Sequence, residues 1–167
     1  MSRRTLFIIV LLIFHAFMFW GIYKAWAVKP VPSRQATVLR VSDGDTIRVR
    51  VDGQEIKVRL YGIDAPESKQ PGGPEATEFL RDLLLTETVS ITTHDVDRYG
   101  REVATVELRG QSVQEMLLER GHAWVYTKYC KIPQCAEWKE IEARARAQKV
   151  GLWGEVEPVE PWEWRKR

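Results

Sequence analysis

Four carboxylates in two short segments carry the strongest chemical signal in this chain. Asp43 and Asp45 lie in Ser42-Asp43-Gly44-Asp45, and Asp64 and Glu67 in Asp64-Ala65-Pro66-Glu67. Clustered carboxylates repel one another, more so when desolvated, so the group asks for a cation. With no histidine close by in sequence, oxygen ligands alone favour a hard ion such as calcium or magnesium. Arg59 stands five residues before Asp64, and Asp97-Arg98-Tyr99-Gly100-Arg101 adds two arginines on a turn. A guanidinium presents a planar fork that matches phosphate bidentately. Cation, carboxylates and fixed arginines together meet the needs of phosphodiester hydrolysis: an electrophilic phosphorus, a neutralised dianion, and a base for the attacking water. By itself, Asp43-Gly44-Asp45-Thr46 also reads as an ordinary turn.

These residues need a scaffold that brings separate turns together. Three β-branched, partly alternating runs at 37–41, 46–51 and 56–61 predict consecutive antiparallel strands, with Asp52-Gly53 a strong two-residue hairpin signal. Such a meander puts the exits of its first and third strands at one end, and with them both acidic segments. Pro74 and Glu75, followed by Ala76, Phe79, Leu80, Leu83 and Leu84 at helical spacing, predict a helix. Two further strands are read at 88–93 and 102–107. Ser112 with Glu115 forms a capping box for a short helix ended by Gly121, and a last helix covers 136–150, with Glu140–Arg144 and Glu142–Arg146 pairs and Gly151 as its stop. The expected fold is α+β: a five-stranded OB-type barrel, closed or partly closed, with about three helices.

The segments VSDGDT (41–46), VRLYGIDAPE (58–67) and DRYGRE (97–102) resemble the staphylococcal nuclease-like, or thermonuclease, family over roughly residues 35–153. The resemblance implies the same OB barrel and calcium-dependent cleavage of DNA and RNA with 3′-phosphate ends. It implies Asp45 and Asp64 as calcium-ligating carboxylates and the Ala65 backbone carbonyl as a further ligand. Glu67 matches the general base, Arg59 and Arg101 match the phosphate-clamping arginines, and Asp43 is an outer acid. Arg98 and Tyr99 fall where the nucleotide's terminal phosphate is contacted. Tyr126 and Tyr129 stand where tyrosines would flank a base, or pack in the barrel. The loop after Glu67, at 68–73, is short for the family. The alternative is a catalytically silent OB module that binds nucleic acid or protein.

Charge and hydropathy set the surroundings. The 167 residues carry a formal net charge of +2. Arg3, Arg4 and Lys24 lie in the first 27 residues with no acid, leaving 22 basic against 23 acidic side chains beyond. That balance excludes binding through a global basic field; any attraction for phosphate is local. Residues 6–23 form an uncharged run that would span about 27 Å as a helix, close to a bilayer's hydrocarbon thickness. The segment 1–27 is therefore a membrane anchor or, given Ala25-Trp26-Ala27, a cleaved signal peptide; either exports the remainder of the chain. Residues 28–34 read as a proline-stiffened linker and 154–167 as a mobile tail. Cys130 and Cys135, the two cysteines, are a local disulfide in an exported domain, or free thiols. His94 and His122 are expected to be structural, Trp124, Trp138 and Trp153 to pack in the core, and the chain to act as a monomer.

Overall fold

Alternating apolar residues in the first three runs all turn to one side, and the barrel is built around them. The computed structural model describes residues 32–167. Strands β1 (Arg34–Asp43), β2 (Thr46–Val51) and β3 (Gln54–Leu60) form the expected meander. Val38, Val41, Ile47, Val49, Val51, Val58 and Leu60 are buried between the faces. The β2–β3 turn takes Asp52 and Gly53 at φ 49° and 81°, the paired positive values that a tight hairpin requires. Strands β5 (Thr88–Val96) and β6 (Glu102–Leu108) form a second hairpin. Antiparallel pairing of β1 with β5 and parallel pairing of β3 with β6 close five strands into a barrel.

Three short strands carried no readable pattern. β4 (Ile63–Asp64) pairs with β8 (Trp124–Val125), and β7 (Gln111–Ser112) turns back antiparallel on the end of β6. Helix α1 (Gly73–Leu84) buries Ala76, Leu80 and Leu84 against the barrel, the face its spacing predicts. Helix α2 (Val113–Glu119) is capped by the Ser112 side chain, which accepts the Glu115 N–H at 3.3 Å. Glu115 does not close the box; its carboxylate accepts the Trp138 indole N–H at 3.1 Å instead. Helix α3 (Cys135–Ala147) starts one residue earlier and ends three earlier than expected. The chain leaves it through Lys149 at φ 55° and Gly151 at φ 56°, so Gly151 opens a 3-10 turn (Gly151–Gly154) rather than stopping the helix. Glu142 pairs with Arg146 at 2.6 Å and also accepts the Val125 N–H, tying α3 to β8.

Cys130 and Cys135 are joined by a disulfide. Trp124, Trp138 and Trp153 are buried. His94 packs on Tyr61 and bonds Thr105, while His122 packs on Phe79; burial lowers the pKa of both rings. The apolar segment of residues 1–27 lies outside the described residues. Among the described residues no helix is long and apolar enough to cross a membrane. The last residues, expected as a mobile tail, carry a further turn, α4 (Pro161–Trp164), with Pro161 buried.

Candidate active site

The two acidic segments meet because nothing larger than hydrogen stands between them. A Cβ on Gly44 would lie 2.8 Å from the Cβ atoms of both Ala65 and Ala76. Within this contact the Asp45 carboxylate reaches across to the second segment, where its Oδ2 accepts the Ala65 N–H at 2.8 Å. Its Oδ1 accepts the Thr46 hydroxyl at 3.1 Å, and Asp43 Oδ1 accepts the Asp45 N–H at 3.2 Å, shaping the turn.

Arg59, projecting from β3, divides its fork between the two turns. Nη1 lies 2.9 Å from Asp45 Oδ2 and Nη2 lies 2.7 Å from Asp64 Oδ1. All three side chains are largely shielded, with Asp64 only 1% exposed. Burial pushes the Asp45 carboxyl up to about 7; Arg59 opposes this, while the charges of Asp43 and Asp64 add to it. Three carboxylates, Asp43, Asp45 and Asp64, are thus gathered in this corner around Arg59.

Glu67 stands at the rim, with 42% of its side chain exposed. Its backbone N–H is held by the buried Gln70 side chain at 3.1 Å. Opposite, the β5–β6 turn is built by Asp97, which accepts the N–H groups of Tyr99 and Arg101 at 2.9 and 3.0 Å and the Arg101 Nε at 2.6 Å. Arg98 donates to the Tyr99 hydroxyl at 2.7 Å and lies over its ring. Tyr99 and Tyr129 are exposed, and Tyr126 meets Tyr129 edge-on.

One cleft of about 760 Å³ is lined by Asp43, Asp45, Asp64, Ala65, Glu67 and Arg59 together with Arg98, Tyr99, Arg101, Tyr126 and Tyr129. The catalytic, substrate and metal-site candidates read from the sequence therefore all line the same cleft. Among the described residues, no three His, Cys, Asp or Glu side chains are grouped as a metal cage. The expected ligand set has two such side chains and completes itself with a backbone carbonyl.

Sequence reasoning missed a further cation in this cleft. Arg165, just beyond α4, contacts Asp64 at 2.7 Å and Glu67 at 2.6 Å. Gln70 and Asp97 were missed as well; their roles rest on neighbours that sequence spacing does not reveal.

Fold and cleft together define a closed five-stranded OB-type barrel with carboxylates and arginines gathered at one mouth. A profile described as staphylococcal nuclease homologue matches residues 57–155, and the chain belongs to that family. It is 41% identical over 138 residues to a micrococcal nuclease of Shigella flexneri, covering 77% of this chain and 79% of that one. It is 40% identical over 131 residues to an uncharacterized endonuclease of Escherichia coli O157:H7, covering 78% and 84%. A 38.1 kDa protein of Capnoides sempervirens is 45% identical over 113 residues, which is 68% of this chain but 32% of that relative.

Proposed function

We propose that the chain is a nuclease that hydrolyses phosphodiester bonds in DNA and RNA with calcium as its cation, leaving 3′-phosphate ends. One observation carries this reading: two buried aspartates bridged by Arg59 share a cleft with Glu67 and Arg101. Similarity to a micrococcal nuclease and to an endonuclease supports it.

The residues present suit a hard cation, since the donors are carboxylate and carbonyl oxygens and Asp43, Asp45 and Asp64 lie close together. Asp45, Asp64 and the Ala65 carbonyl would hold calcium, which when bound supplies positive charge to a phosphate oxygen. Glu67, at the exposed rim, takes the proton of the attacking water; a separate base is needed because calcium acidifies water less than zinc does. Arg59 and Arg101 donate to the phosphate oxygens as charge builds on them. Arg98 and Tyr99 meet a terminal phosphate, and Tyr126 and Tyr129 offer ring surface to a base. The apolar run at residues 6–23 supports an exported location, tethered or released.

The test uses the full-length chain in detergent with heat-denatured DNA. Calcium should permit digestion, a chelator should stop it, and Glu67→Gln should slow it on the order of 100-fold. Digestion that survives chelation, or is undiminished in Glu67→Gln, overturns the reading. A silent binding module is favoured by one observation, the engagement of Glu67 by Arg165; it predicts oligonucleotide binding without any cleavage.

A further inference from the structure

The end of the chain lies on the cleft that the nuclease reading uses, and three contacts of different chemistry hold it there. Arg165 Nη1 donates to Glu67 Oε1 at 2.6 Å and to Asp64 Oδ1 at 3.3 Å, while Nη2 donates to Asp64 Oδ2 at 2.7 Å. Trp162 lies flat on Tyr126, with ring centroids 4.9 Å apart and planes 7° from parallel. Upstream, the Val159 carbonyl accepts the Gln70 Nε2 at 2.5 Å, and the same Gln70 side chain accepts the Glu67 N–H.

Trp162 and Arg165 are three residues apart on one helical turn, so they face the same way and arrive together. Their two chemistries match the two things the cleft is built to take. A flat aromatic face on Tyr126 is what a nucleobase would offer. A cation against Asp64 and Glu67 is what the gathered carboxylates call for.

We propose that residues 159–165 are an intramolecular occupant of the active site. Trp162 stands in for a base on Tyr126 and Arg165 stands in for the cation at Asp64 and Glu67, so cation and nucleic acid bind as this segment is displaced. The assignment rests on the nuclease reading. Both Asp64 oxygens are engaged, Oδ1 by Arg59 and Arg165 and Oδ2 by Arg165, which leaves that carboxylate little to give a metal ion. Glu67 Oε1 accepts from the Arg165 guanidinium at 2.6 Å, so this oxygen is occupied where an attacking water would have to reach it. Displacement is within reach of a divalent ion, because Arg165 is 42% exposed and such partly solvated pairs are weak. Since the segment is tethered, it competes at a fixed local concentration rather than one that dilution removes.

The experiment measures calcium binding to the full-length chain by titration calorimetry, without nucleic acid, and cleavage of a single-stranded oligonucleotide over a range of calcium. Arg165→Gln should bind calcium about tenfold more tightly than wild type, cleave faster at limiting calcium, and match wild type at saturation. Trp162→Ala, which keeps every charge, should bind the oligonucleotide more tightly in the presence of chelator. Thermal melts of both variants establish that they fold. Unchanged or weaker calcium affinity in Arg165→Gln overturns the proposal, as does a lower kcat at saturating calcium, which would make Arg165 a participant in the reaction. Equal calcium affinity and equal cleavage in all chains defeat the tail assignment alone. Absence of cleavage from every chain at any calcium concentration defeats the nuclease reading, and the tail assignment with it.

Discussion

Gly44 and Ala65 bring the two acidic turns into contact: a Cβ added to Gly44 would sit 2.8 Å from the Ala65 Cβ, and equally close to that of Ala76. Neither neighbour is a flexible side chain that could swing aside. Gly44→Ala should therefore cost about 1–3 kcal/mol through overpacking. It should also lower cleavage by up to about 100-fold, since a small displacement of Asp45 from Asp64 is enough to spoil the geometry. Urea denaturation and initial rates on the same preparation check both effects.

Arg59 should be sensitive to shape as well as charge, because its fork bridges Asp45 and Asp64. Arg59→Lys keeps the charge and loses the bridge, so kcat should fall on the order of 100-fold. Arg59→Ala takes from the buried Asp45 carboxylate its cationic partner, while Asp64 keeps Arg165, and should cost about 3 kcal/mol in the presence of chelator. Melting curves with and without calcium distinguish the structural loss from the catalytic one.

Gln114 is fully buried on α2 and ties that helix to β6: its Oε1 accepts the Val106 N–H at 3.2 Å and its Nε2 donates to the Ala104 carbonyl at 3.1 Å. Gln114→Leu keeps the volume and abandons the Val106 N–H, while the Ala104 carbonyl still accepts the Tyr61 N–H at 2.8 Å, for an expected loss of about 1–3 kcal/mol. Gln114→Glu keeps one bond but buries a charge, and should be no milder. Equilibrium unfolding midpoints decide.

Asp97 gives a pH-dependent contribution of definite sign. Burial pushes its carboxyl up, but the N–H groups of Arg101 and Tyr99 and the Arg101 guanidinium outweigh that, and the net shift is below the usual carboxylate range. A carboxyl lowered on folding adds stability that is complete above the unfolded value of about 4 and is lost as the pH falls through the folded value. Asp97→Asn should be less stable than wild type at pH 7, and the two chains should converge on acidification toward pH 2. Thermal melts across that range measure the convergence.

The barrel was legible where the chain signals its own geometry. Alternation in β1 to β3, the Asp52-Gly53 turn and the apolar stripe of α1 are local properties, and each element stands where those signals put it. The two-residue strands β4 and β8 were not legible, because a pair of residues has no period to detect. Gln114 looked like any polar residue of a short helix; only the position of β6 makes it a bridge. The carboxylates and arginines of the cleft were legible through their types and the turns that hold them. Arg165 was not, since it meets Asp64 across 101 residues of sequence and sits among prolines and charges that locally resemble a solvated end.

The short pairing of Ile63–Asp64 with Trp124–Val125 bears on how the chain matures. Asp64 receives its neighbouring strand from residues made some sixty positions later, and that strand is in turn fastened to Glu142 of α3. A polypeptide that emerges from its amino terminus thus has both aspartates and Arg59 in hand long before the strand that flanks Asp64 exists. The corner is braced only when residues as far as Glu142 have been made, so a product that stalls before them keeps its two acidic turns without the strand that backs Asp64.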